Sequence, residues 1–112
     1  MFIMEIQLSD KYCILAPTTK KIGAEESKLI EKELSYYKGV KIALDMEAVQ
    51  EMTFDFIAKI TKFANLSLFN INSDIFTLLT FMKLDKCLNL YVTKEDFITN
   101  SHRVLSRNFR LV

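Results

Sequence analysis

Apolar and polar positions first alternate strictly. In FIMEIQL, Phe2, Met4, Ile6 and Leu8 fall on one side, the pattern of a strand with one buried face. Asp10 and Lys11 in SDK suit a hairpin loop, and YCILAP is a second short strand, so the two are expected to pair antiparallel. Pro17 offers no N–H to a ladder and ends that strand. The period then lengthens. In AEESKLIEKELSYYKG, Ile30, Leu34 and Tyr37 recur at helical spacing and Leu29 widens the stripe. Glu25 and Glu26 sit where the helix dipole favours negative charge, Lys38 lies near the other end, and Gly39 follows the last turn.

VKIALDM is a near-continuous apolar run, as in a strand covered on both faces. A second helix is expected from about Thr53 to Asn65, with Phe56, Ile60 and Phe63 on one stripe and Ile57 and Ala64 beside them. LSLFNI reads as another buried strand. Ser73 is placed to cap the helix SDIFTLLTFMKL, with Asp74 in its first turn. LNLYV is the last strand, and TKEDF opens a final helix with Thr93 as cap and Asp96 three residues on. The order β-β-α-β-α-β-α-β-α predicts an α/β fold about a mixed sheet of about five strands with four helices. Its crossovers are right-handed and parallel, and the first hairpin adds one antiparallel strand.

Length and composition narrow the possibilities. At 112 residues, half of them apolar, the chain reads as a single domain that buries roughly two thirds of its unfolded surface. No apolar run approaches the roughly 18 residues of a membrane span, and the N-terminus reads as a strand, which makes the cytoplasm the expected location. Cys13 and Cys87 lie in apolar runs and are expected to be reduced, buried thiols. With His102 as the one histidine and no clustered ligand spacing, neither metal nor cofactor is expected. The net charge of +1 is uneven: Arg103, Arg107 and Arg110 make the last sixteen residues +3, and 12 − 14 leaves −2 for the rest. Three arginines without interleaved stacking aromatics make a solvated helix face and not a nucleic-acid surface.

The element order and the residues from Lys41 to Ile98 resemble the STAS domains, the sulfate-transporter and anti-sigma-factor-antagonist family. A buried strand ends in an aspartate, here Asp45 in IALDM, and a helix follows about eight residues later. LSLFNI, SDIFTLLTFMKLDKC, LNLYV and TKEDFI then follow in the family's order, with Leu84–Phe97 especially similar. The resemblance covers roughly residues 3–106. It implies a STAS-like (SpoIIAA-like) fold and a regulatory module that works by binding another protein.

In bacterial members of the family the connection after that strand reads Asp-Ser-x-Gly, and a partner kinase phosphorylates the serine. This chain places Thr53, Phe54, Asp55 and Phe56 at those positions. Phe54 has no hydroxyl to phosphorylate, and Phe56 is far bulkier than glycine. In one reading of the stretch, Thr53 caps the helix, Asp55 favours its dipole, and Phe54 and Phe56 pack against neighbours. In another, Met52 and Phe54 form an apolar patch at the carboxyl end of the third strand, where open α/β sheets bind ligands. In a third, a slip of one residue makes Thr53 the phosphoacceptor.

The contact surface expected on this basis comprises Thr18, Thr19, Asp45, Glu51, Met52, Thr53, Phe54 and Asp55, with Lys20 and Lys21 steering an acidic partner. No catalytic constellation converges, so the chain reads as non-enzymatic. The implied partner is a kinase-type anti-sigma regulator. Two alternatives stand beside it: an accessory subunit of a membrane transport complex that binds the transport ATPase, and a module that holds a lipid or nucleotide near Phe54.

Overall fold

A computed structural model describes residues 4–37, 39–63 and 66–99. Strand β1 (Met4–Leu8) and strand β2 (Tyr12–Pro17) form the expected antiparallel hairpin, with Ile6 opposite Leu15. The loop is fixed by Ser9, whose N–H donates to the Tyr12 carbonyl at 2.9 Å and whose Oγ accepts from the N–H groups of Lys11 and Tyr12. After a short strand β3 (Lys21–Ile22), helix α1 (Ala24–Tyr36) is capped by Gly23. Glu26 reaches back to the Gly23 N–H at 2.8 Å, one half of a capping box. Gly39 takes φ +86°, the left-handed conformation that suits the chain just beyond a helix end.

Strand β4 (Lys41–Asp45) leads to a two-residue strand β5 (Glu51–Met52) and helix α2 (Phe54–Ile60). Next come β6 (Ser67–Phe69), α3 (Ser73–Phe81), a 3₁₀ turn at Leu84–Lys86, β7 (Asn89–Leu90) and α4 (Lys94–Thr99). The main sheet has the order β1-β2-β4-β6-β7, parallel except for the first pair, so the mixed five-stranded sheet with four helices is as the sequence predicts. β3 and β5 pair parallel in a second, two-stranded sheet that sequence pattern does not reveal.

Alternation along the strands assigns the two faces. Cys13, Leu15, Leu44, Leu68 and Leu90 lie on the face covered by α1, α2 and α3, which add Ile30, Leu34, Phe56, Ile57, Ile60, Ile75 and Leu79. Ile14, Ala43, Phe69 and Tyr91 lie on the other, where Phe97 of α4 covers them.

Several expectations are corrected. The alternating face of β1 is not buried: Ile6 and Leu8 are exposed and Met4 only half-buried, because β1 is an edge strand that α1 does not reach across. Leu29 is exposed too, since the buried stripe of α1 runs through Ser27, Ile30 and Leu34. Cys13 is buried but Cys87 is exposed, for Cys87 closes the 3₁₀ turn (its N–H donates to Leu84 at 2.9 Å) before β7 begins. The cap of α3 is Asn72 rather than Ser73, its Oδ1 accepting from the Ile75 N–H at 2.8 Å. α2 ends at Ile60, well short of the expected Asn65. Thr93 does cap the last helix, accepting from the Asp96 N–H at 3.2 Å. Phe2, Lys38, Ala64, Asn65, His102, Arg103, Arg107 and Arg110 lie outside the described residues.

Candidate partner-binding site

The stretch between β4 and α2 is pinned at successive points. Asp45 ends β4, and its Oδ1 accepts from the Glu47 N–H and from Asn70 Nδ2, both at 3.1 Å. Met46 and Val49 are buried and turn the chain, with the Val49 N–H donating to the Met46 carbonyl at 3.0 Å. The N–H groups of Gln50 and Glu51 then both donate to the Lys20 carbonyl, at 2.7 and 3.0 Å. β3 pairs with β5, Lys21 opposite Glu51 and Ile22 opposite Met52, and the Thr53 N–H donates to Ile22. Ile22 is fully buried, so this small sheet is anchored from beneath.

Thr53 is the N-cap of α2: its Oγ1 accepts from the Phe56 N–H at 3.2 Å. Phe56 points into the core at 1% exposure, so its bulk does not stand on the surface. Phe54, two residues earlier, is 68% exposed. Of the two aromatics expected to pack, one does and the other does not, because positions two apart on a helix face nearly opposite ways. Met52 is half-buried against the core. Asp55 is exposed and lies 3.4 Å from Lys59, which also approaches Glu31 at 3.7 Å.

The β3–β5 pairing lays the segment after Pro17 beside Glu51–Thr53. Thr19 belongs to that segment, with its Oγ1 donating to the Lys21 carbonyl and accepting from the Lys21 N–H. Thr18, Lys20 and Lys21 are exposed. Asp45 is half-buried and committed to Glu47 and Asn70. Sequence reasoning missed Asn70 and Asn72. Asn70 takes φ 56°, a conformation that asparagine tolerates, and holds Asp45. Asn72 Nδ2 donates to the carbonyls of Val49 and Gln50 while Oδ1 caps α3. The one available signal was the NIN spacing at the end of a strand, where polar amides are disposed to bond backbone.

Among the described residues no group of three or more His, Cys, Asp or Glu is placed to hold a metal, and no helix is long and apolar enough to cross a membrane. The candidate site is a hydrogen-bonded rim from which the Phe54 ring projects. Comparison with solved structures decides the fold. A putative anti-sigma factor antagonist from Thermotoga maritima superposes with TM-score 0.75 at 18% identity, over 89% of this chain and 95% of that one. The chain has the anti-sigma factor antagonist fold. An anti-sigma factor antagonist from Mycobacterium paratuberculosis gives TM-score 0.73 at 14% identity, over 89% and 93% of the two chains. Bacillus SpoIIAA in its phosphorylated form gives 0.63 at 13%, over 89% and 98%. The sequence matches no protein-family model and no curated protein.

Proposed function

We propose that this chain is a non-enzymatic, cytoplasmic regulatory module that binds a kinase-type anti-sigma regulator without a phosphorylation switch. The observation that carries the reading is the exposed ring of Phe54 at the start of α2, mounted on a backbone held by Lys20, Ile22 and the Thr53 cap. An aromatic side chain has few rotors to freeze and much apolar area to bury, which makes it a strong anchor in a contact. SpoIIAA, which shares this fold, exists in a phosphorylated form. Here the residue matched to the family's serine is Phe54 and offers no hydroxyl, and the adjacent Thr53 hydroxyl is engaged in the helix cap. Glu51, Met52, Asp55, Thr18 and Thr19 form the rim of the proposed contact, and Lys20 and Lys21 steer acidic partners toward it. Asp45 supports the rim from below.

The test pairs the purified chain with an anti-sigma kinase encoded in the same genome. Phe54→Ala is expected to weaken binding by roughly 30-fold, the loss typical of a central anchor. Incubation with ATP should add no phosphate to residues 52–56 by intact mass. Unchanged affinity of the variant sinks the reading. A transport ATPase as the only binder, or a small molecule retained in native mass spectra, selects one of the other two functions instead.

A further inference from the structure

β1 is an edge strand, and among the described residues no strand pairs with its outer side, which carries exposed apolar side chains. Ser9 and Tyr12 close the hairpin as a hydrogen-bonded pair. Such pairs recur at every second position of an antiparallel ladder, so Gln7 bonds Ile14 and Glu5 bonds Ala16. The N–H and C=O groups of Met4, Ile6 and Leu8 therefore point away from β2, and no strand among the described residues meets them. The side chains of the same three residues are apolar. Ile6 is 43% and Leu8 59% exposed, and Ile6 forms one wall of an open groove against Tyr36 and Tyr37 of the α1 end. Leu29 and Tyr36, one heptad apart on α1, extend the apolar surface. Natural edge strands are usually protected by charge, proline or a bulge. β1 has a single charge, Glu5, on its opposite face.

We propose that β1 pairs antiparallel with β1 of a second copy of this chain, about a two-fold axis at Ile6. An axis at Ile6, the central one of the three residues whose main-chain groups face outward, brings all three into the new ladder. That register sets Ile6 against Ile6 of the second copy and Met4 against Leu8, joining the two apolar stripes on one face. On the other face it sets Glu5 against Gln7 of the second copy. Gln7 already accepts from Lys94 Nζ at 2.7 Å, so each Glu5 carboxylate meets an ammonium group across the axis. A register centred on Glu5 would instead oppose two carboxylates, and like charges directly opposite are destabilising. Charge and apolar pattern thus select a second copy over an arbitrary extended peptide. The surface lies on β1 and is independent of Phe54 on α2.

Sedimentation velocity over a concentration series reaching roughly 100 μM should show a dimer. Ile6→Glu, which places two carboxylates on the axis, should raise the dissociation constant at least about tenfold. Its circular dichroism and melting midpoint, measured alongside, check that the fold is kept. Glu5→Lys should weaken association, and Glu5→Lys combined with Lys94→Glu should restore it; this second pair keeps the test decisive if Ile6→Glu does not fold. A wild type that stays monomeric over the series overturns the proposal. So does a dimer indifferent to Glu5→Lys, or one that the charge exchange fails to rescue, since either places the contact elsewhere.

Discussion

Cys13 and Cys87 carry the same thiol in opposite environments, and only one of them is a core residue. Cys13 has no exposed surface. Burial raises its pKa above the ordinary 9.0, and the nearby charge of Glu33 pushes the same way. The folded state therefore holds the thiol proton more tightly than the unfolded chain. The resulting stability is complete below pH 9.0 and is lost as pH climbs through the raised value. Urea denaturation on either side of pH 9.0 should show wild-type stability falling with rising pH, and Cys13→Ala should fall less steeply. Lys41 is common to both proteins, and the Cys13 charge is one cause of the raised Tyr37 pKa, so the difference between slopes reports the thiol together with its coupling to Tyr37; parallel slopes would deny both. Composition cannot separate the two cysteines, since both lie in apolar runs. What separates them is that Cys13 is inside a paired strand while Cys87 precedes one.

At the scale of elements, strong periods were legible and short pieces were not. α1 was readable because Ile30 and Leu34 recur one turn apart, whereas two-residue strands such as β3 and β5 have no period to detect. Apolar residues on an edge strand also mislead: Ile6 and Leu8 alternate correctly but lack a helix above them. The candidate site was legible as a segment, because Thr53 has a capping residue's chemistry, but its support was not. Asn72 illustrates this, since one side chain caps α3 and ties down the chain before β5. Asn72→Ala removes both functions and should cost about 1–2 kcal/mol in urea denaturation. Asn72→Asp keeps the acceptor for the Ile75 N–H but sets a carboxylate against the carbonyls of Val49 and Gln50. It should keep α3 while speeding amide hydrogen exchange at Gln50 and Glu51. Equal exchange in wild type and Asn72→Asp would mean that the donor side contributes nothing.

At the scale of the molecule, and among the described residues, the two faces of the sheet are unequally covered. Three helices share one face, while the other rests on α4, a six-residue helix with a single buried side chain, Phe97. That ring stacks on Phe69 at 5.8 Å, meets Tyr12 and Tyr91 edge-on at 5.9 and 6.0 Å, and has Lys41 Nζ 4.5 Å from its centroid. Lys41 also donates to the Phe97 carbonyl at 2.6 Å, and burial lowers its pKa. Lys41 thus gives up part of its hydration for a carbonyl and an aromatic face, and both belong to one residue. Phe97→Ala removes the ring that covers this face and should cost about 3–5 kcal/mol. Small domains hold only about 5–15 kcal/mol in total. Phe54→Ala removes an equal side chain from an exposed position and should change stability by less than about 0.5 kcal/mol. Urea denaturation of the two variants side by side separates the roles. If Phe54→Ala were as damaging as Phe97→Ala, the Phe54 ring would be serving the fold and would not be free for a partner. If Phe97→Ala were harmless, the face under α4 would owe its cohesion to the sheet alone, and that helix would be an attachment instead of a wall.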